Sequence, residues 1–429
     1  MAGPIHQHRL PWQNPIDVFA PWAQSPHALL LHDGRHGRAR MFVAPDAVAS
    51  GADRAAFDAF AKRGRDEGGL WAGLFGYDLA AAFERLPHLD PRWPPLAVAR
   101  YPAWIEFDRE AGHVEIKGVE DGAVAGLLAA VRQSGPAPDM PATSGAASWQ
   151  PRWSRDQYLK AAGRARDYVH AGDVFQVNLS HAFDVTLDPA DHPYAVFRRL
   201  SEHSPAPHAA YLCLDPDHIV LTNSPERFLR VASGHVEARP IKGTRRRAAD
   251  TEEDRRLAEE LAASAKDRAE NLMIVDLMRN DLSRVCRPGS VHVPLLCAIE
   301  TYANVHHLVS VVEGDLAAEH DVFDLLAASF PPGSITGAPK VRAMEVISEL
   351  EGEPRGAYCG ALGWIDGEGG DMDLNVMIRT AALRREGTGW RASLRSGGGI
   401  VADSEPVSEY EETLTKVSAL RRALGADAE

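Results

Sequence analysis

The sequence predicts a mixed α and β protein, and three observations carry that reading. Apolar and polar side chains alternate with period two at 174–185, 302–312 and 371–381, as they do along strands. Two segments, opening near Ser154 and Ser404, place apolar residues at helical spacing instead. Short strand-like runs between turns fill the first 132 residues. At 429 residues the chain can form two or three domains, or one large one with a substantial core.

Residues 1–132 are expected to form an N-terminal α/β subdomain. Runs at 28–31 and 39–43 are read as strands around Asp33-Gly34, and 101–107 with 113–116 as a hairpin. Asp121 is placed to cap a helix over 124–131, and Trp71, Tyr77, Trp93 and Trp104 are read as core. Residues 133–150, mostly Pro, Ala, Ser and Gly around the single charge of Asp139, read as a linker. The second unit, 151–429, carries every candidate site residue.

That unit opens with a capping box, Ser154 to Gln157, before a helix with the stripe Tyr158, Ala161, Ala162, Ala165 and Val169. In the next strand Phe175, Val177, Leu179 and Phe183 share one face, and Gln176, Asn178 and Ser180 the other. Turned inward, the polar face would wall a site; turned outward, it would be half-exposed strand. Strands follow at 209–214 and 218–222. Glu226 then stands at a Pro-made corner, and a hairpin turn at Ser233-Gly234 would bring it and Lys242 to one end of a sheet. A helical region from Asp250 to about Asp281, broken near Ser264, sets Asp267 and Glu270 on one face. His307 shares a strand face with Val305, Val309 and Val311, where a lone histidine is commonly a core residue. Tyr358 is read in a strand opened by Arg355-Gly356. Arg379 falls with Asp373 and Asn375 on a polar face, suited to bidentate pairing with a carboxylate.

Composition excludes several classes. With 46 Lys+Arg against 60 Asp+Glu, the net charge of −14 argues against nucleic acid or an anionic membrane as partner. Basic residues cluster only locally, which suits a small anionic ligand. The four scattered cysteines form no zinc-like spacing and read as reduced thiols of a cytoplasmic protein. The N-terminus lacks the apolar core of a signal peptide, and no run approaches ~18 apolar residues.

Three stretches offer chemistry. Arg239-Pro-Ile-Lys-Gly-Thr244, followed by Arg245-Arg-Arg247, sets Lys242 beside a glycine that lets a ligand or backbone come close. Nearby arginines would lower its pKa if they face it, making the amine a nucleophile; otherwise the run is a solvated turn. The loop Pro332–Lys340, with Ser334 and Thr336, suits an anion on backbone N–H groups and lacks the spacing of a nucleotide loop. On the last helix, expected to be capped by Ser404, Glu405, Glu409, Glu412 and Lys416 form one stripe. It is either a solvated face or, with Glu270, a magnesium site.

In order along 154–424 these motifs resemble the chorismate-utilising enzyme family, which includes component I of anthranilate and aminodeoxychorismate synthases. The resemblance rests on Ser224-Pro-Glu-Arg-Phe228, Pro240-Ile-Lys-Gly-Thr244, Ala269-Glu-Asn-Leu-Met-Ile-Val-Asp-Leu277 and Arg279-Asn-Asp-Leu282. It continues through His307-Leu-Val-Ser310, Gly333-Ser-Ile-Thr-Gly-Ala-Pro-Lys340, Arg355-Gly-Ala-Tyr-Cys-Gly360, Ile378-Arg-Thr380, Gly397-Gly-Gly-Ile-Val401 and Glu409-Tyr-Glu-Glu-Thr413. It implies an α+β fold of two large orthogonal antiparallel sheets flanked by helices.

The resemblance also implies roles. Lys242, where the anthranilate branch carries alanine, is similar to the aminodeoxychorismate branch and implies covalent catalysis, with Glu226 as general acid and His307 in the active site. Glu270 and Glu412, with Glu409 and Asp267 nearby, would hold Mg2+. Arg379, Tyr358, Ser334, Gly397, Gly399, Thr244 and Lys416 would bind chorismate. Ammonia would be the second substrate. Nothing resembles a glutaminase or a lyase, so a separate glutamine amidotransferase subunit and a separate lyase are expected. Leu30-Leu-His-Asp33 and Ser204-Pro-Ala-Pro-His208 stand where tryptophan-regulated relatives carry their effector residues, so no tryptophan inhibition is expected.

Overall fold

Strand periodicity builds two large antiparallel sheets flanked by helices in the computed structural model, which describes residues 5–87, 93–135, 148–188, 190–302 and 305–426. The twelve-stranded sheet runs from His6–Pro11 through His113–Gly118, Ala103–Asp108, Arg38–Phe42 and Leu29–Asp33 into His208–Asp215 and His218–Ser224. It continues through Thr380–Glu386, Gly389–Ile400 and Gln176–Thr186 to Gly337–Ala338, with Ser148–Pro151 paired to Gln176–Thr186. The ten-stranded sheet orders Ile241–Arg246, Val305–Asp315, His235–Ala238, Arg227–Ala232, Asp371–Val376, Ala361–Asp366, Leu70–Phe75, Leu96–Tyr101 and Ala47–Gly51. Strand His292–Thr301 pairs with Val305–Asp315. Strands from the first 132 residues are therefore hydrogen-bonded into both sheets. Of the expected linker, residues 136–147 lie outside the described residues.

One apolar cluster joins the sheets: Leu29, Phe42, Ala210, Leu212 and Val220 from the first meet Leu70, Leu74, Ala99, Tyr101 and Leu362 from the second. Strand Gln176–Thr186 is buried on both faces. Val177 and Leu179 pack under helices Arg155–His170 and Lys340–Glu351, while Gln176, Asn178 and Ser180 turn inward. Its predicted apolar neighbour Phe175 falls just outside the strand and is exposed.

Several local expectations hold. The capping box forms, Gln157 N donating to Ser154 Oγ at 3.2 Å and Ser154 N to Gln157 Oε1 at 2.7 Å. The break at Ser264 separates helices Thr251–Ala263 and Ala265–Ser283. Others need correcting. Asp121 is a first-turn residue, not the cap, of helix Asp121–Gln133. Ser404 lies one residue before the N-cap Glu405, and its hydroxyl donates to Glu409 Oε1 instead (2.8 Å). Tyr358 sits in the turn before strand Ala361–Asp366, because Arg355–Gly360 folds back on itself with Gly360 N donating to Ala357 O. The alternation read through 371–381 is interrupted: the strand stops at Val376, and 377–379 crosses to the other sheet with Arg379 at φ +52°.

Candidate active site

Polar strand faces, a crossover and two helices converge on a cavity of about 670 Å³ where the sheets meet. Strand Ile241–Arg246 contributes Lys242 and Thr244, strand Val305–Asp315 contributes His307, and the corner before Arg227–Ala232 contributes Glu226. Glycines 397 and 399 come from Gly389–Ile400, Ser334 from its loop, Tyr358 from its turn and Arg379 from the crossover. Helix Ala265–Ser283 adds Asp267 and Glu270; helix Pro406–Ala423 adds Glu409, Glu412 and Lys416. All the sequence-predicted site residues line this one space.

Lys242 and Glu226 arrive there by a route the sequence did not indicate. Their strands are not neighbours; His235–Ala238 and Val305–Asp315 lie between them. The approach depends on a bulge at Gly243, where the register to Val305–Asp315 shifts. Gly243 takes φ +75°, and a Cβ there would stand 2.8 Å from Leu261 Cδ1 and 2.9 Å from Asp267 Cγ. The glycine therefore admits the packed helices rather than a ligand.

Lys242 lines the cavity half-buried, and its Nζ donates to Ser334 O at 2.7 Å. Burial pulls the amine below its ordinary value, outweighing the attraction of Glu270 and Glu226, and Lys416 pulls the same way. The direction matches expectation; the cause does not. The neighbouring arginines are neutralised by acids: Arg245 by Glu260 and by Asp267 on the cavity wall, Arg246 by Glu253, Arg247 by Asp254, and Arg239 by Glu300. Burial likewise raises Glu226, against the Ser334 hydroxyl, Lys242 and the Ile241 N–H, which favour the carboxylate. Its Oε1 and Ser334 Oγ are buried without satisfactory hydrogen-bond geometry, so each can meet a ligand. The amine and the acid are both driven towards neutrality, the states needed by a nucleophile and a proton donor.

His307 stands on the cavity wall rather than in the core, its Nδ1 2.9 Å from Thr244 Oγ1. Burial first, then Arg379 and Arg35, push it down to about 4, so it is neutral at pH 7. Arg379 is also lowered by burial and by Arg35.

Across the cavity, burial raises Glu270 and Glu409, and neighbouring acids raise them further, Asp267 and Glu409 the first and Glu412 the second. Burial works the same way on Glu412, but the Lys416 ammonium at 2.7 Å holds it low. Lys266 Nζ lies 4.0 Å from Glu270 Oε1 and 3.7 Å from Glu409 Oε1. Among the described residues no three His, Cys, Asp or Glu side chains are gathered tightly enough to hold a metal. Even so, repelling carboxylates offset by lysines are hard oxygen donors of the kind Mg2+ takes, so their chemistry fits that ion.

Some cavity residues were missed. Lys266 and Arg395 carry no motif signal. Asn178 had one, the polar strand face, which it shares with the buried Gln176 beside the cavity glycine Gly399. Neither amide atom of Gln176 has a partner, and a Cβ on Gly399 would stand 2.7 Å from it. The four cysteines are free and buried, and among the described residues no helix is long and apolar enough to cross a membrane.

The family model of the chorismate binding enzymes matches residues 11–422. Aminodeoxychorismate synthase component 1 of Klebsiella aerogenes is 44% identical over 358 residues, covering 82% of this chain and 76% of that protein. Anthranilate synthase component 1 of Thermus thermophilus is 42% identical over 361 residues, with the same shares. The crystal structure of anthranilate synthase component I from Streptococcus pneumoniae superposes with a TM-score of 0.78 at 28% identity, covering 89% of this chain and 92% of that one. The chain belongs to the chorismate binding enzyme family. Within it, the chain is similar to both the aminodeoxychorismate and the anthranilate branch.

Proposed function

We propose that this chain converts chorismate and ammonia to 4-amino-4-deoxychorismate, on the route to 4-aminobenzoate and folate. The observation that carries the reading is the buried amine of Lys242 beside the protonated-leaning Glu226. Arg379 and Tyr358 hold one substrate carboxylate, the N–H groups around Gly397 and Gly399 contact the substrate, and Ser334 and Thr244 face its hydroxyl side. The Lys242 lone pair adds to ring C2, the double bonds shift, and the C4–O bond breaks as Glu226 gives the leaving hydroxyl its proton. Ammonia then forms a bond to C4, the double bonds shift back, and the C2–N bond to Lys242 breaks, returning a free amine. Glu270 and Glu412, with Glu409 and Asp267 nearby, would hold Mg2+, which when bound neutralises the ring carboxylate. Lys416 keeps Glu412 ionised.

Ammonia is supplied from glutamine by a separate amidotransferase in the cytoplasm; the "component 1" in its relatives' names is consistent with such a partner. The chain alone should therefore turn over with ammonium and not with glutamine. The second reading, anthranilate formation, draws on the 42% identity to a protein of that name. Direct attack of ammonia on C2 would need no lysine.

Product analysis separates the two. Incubation with chorismate and Mg2+ but no ammonia should leave an adduct of chorismate less one water on the Lys242 peptide. Lys242→Ala should lose both the adduct and most product, and Lys242→Arg should not rescue, because guanidinium stays protonated. Aminodeoxychorismate formed by Lys242→Ala at the parent rate would refute covalent catalysis.

A further inference from the structure

Two ring contacts away from His307 on the cavity wall lies a second arginine, and it comes from the N-terminal part of the chain. Arg35 occupies the tip of the hairpin between Leu29–Asp33 and Arg38–Phe42. That tip is pinned. Arg35 N and His36 N donate to Asp33 Oδ1 at 2.9 and 3.0 Å, and Gly34 N donates to Ala206 O at 3.0 Å. The guanidinium is held 4.1 Å from the centroid of the Tyr302 ring. Tyr302 in turn meets the His307 ring edge-on, centroids 5.4 Å apart, and its hydroxyl donates to Glu300 Oε2 at 2.5 Å. Among the described residues neither Arg35 nor Arg379 makes an ion pair with a carboxylate. Burial and the charge of Arg35 both disfavour the Arg379 guanidinium, while Tyr302 and Asp33 favour that of Arg35.

Two partly desolvated guanidiniums that repel one another are unfavourable until an anion arrives, and an anion placed near both gains from both. We propose that Arg35 is a positioning residue of the chorismate site. Stacked on Tyr302, it braces the ring against His307 and adds its charge to that of Arg379 where a substrate carboxylate is received. The N-terminal hairpin thereby takes part in substrate binding. This rests on the reading of the cavity as the chorismate site. A planar guanidinium suits the stack, and lysine would keep the charge with a poorer fit to the ring.

The test is chorismate binding by titration calorimetry at low and high salt, together with steady-state kinetics with ammonium, on the full chain. Arg35→Gln should raise Kd and KM roughly tenfold while changing kcat far less, and should flatten the salt dependence. Arg35→Lys should recover most of the affinity. Equal affinity and salt dependence in the parent and Arg35→Gln would overturn the proposal. So would a loss of kcat and thermal stability at unchanged KM, or an Arg35→Lys variant as weak as Arg35→Gln, since either leaves only a packing contact. A parent chain that binds no chorismate would instead sink the reading of the cavity itself.

Discussion

Lys242 is held in a state that folding alone would not choose. Its amine is desolvated, its backbone partner is Ser334 O, and the lowered pKa means that the unfolded chain binds the proton more readily. Stability therefore rises with pH between the depressed folded value and the ordinary 10.5. Lys242→Met should melt at a higher temperature than the parent at pH 7, and that advantage should shrink as pH approaches 10.5; melting curves across the range read the sign. Turnover should be lost in the same variant, and Glu226→Gln should slow it about 10²–10⁴-fold, the span of one general acid. The acids opposite divide by position rather than by type. Glu270→Gln and Glu412→Gln should each remove most Mg2+-dependent turnover, since an amide is a poor ligand for a hard cation. Glu405→Gln, on the same helix but exposed and 3.9 Å from Arg166, should do little. Equal losses in all three would mean a charged face and no ligand set.

The bulge at Gly243 shows how one element places another. It lets helices Thr251–Ala263 and Ala265–Ser283 press Leu261 and Asp267 against the lysine strand. Gly243→Ala combines a left-handed φ with contacts under 3 Å, so it should cost about 1–3 kcal/mol in chemical denaturation and lower kcat. The need for glycine there could be read from the sequence; its reason could not, because the crowding side chains lie 18 and 24 positions away. The same limit explains the other misses. Period-two runs and the Ser154 capping box were legible because their cause is local. Arg379 looked like a strand residue because alternation continues in the letters, while the chain turns from one sheet to the other. The arginines after Lys242 looked like its neighbours because proximity along the chain is all a sequence offers, whereas helix acids draw them away. The site residues themselves were legible as a set through ordered motifs, not through periodicity.

Across the whole molecule, a buried ionic knot ties the cavity wall to the frame. Glu351 accepts from Arg355 Nη2 at 2.7 Å, from Arg395 Nη2 at 2.8 Å, and from Ser180 N and Oγ at 2.8 Å each. Burial would raise this carboxyl, but the two guanidiniums win and hold it below its usual 4.5. A depressed acid contributes stability above 4.5 and loses it as pH falls through the lowered value, so parent stability should drop in acid more steeply than that of Glu351→Gln. At pH 7 the same substitution leaves buried Arg355 without its carboxylate partner, while Arg395 keeps Glu353, and should cost about 3–5 kcal/mol by denaturant titration. The sheets impose a different demand. Strand His208–Asp215 leans on Leu29–Asp33, and Ala361–Asp366 on Leu70–Phe75, so a fragment of 148–426 should expose two bare edges and aggregate. Synthesis on the ribosome meets that interleaving in time. Strands finished within the first hundred residues wait for partners some 180 to 290 positions later, and the helix bearing Glu409 and Glu412 emerges later still. With pairings this distant in sequence, the nascent chain carries unmatched edges until those partner strands emerge, which slows its folding and leaves the edges in need of shielding meanwhile.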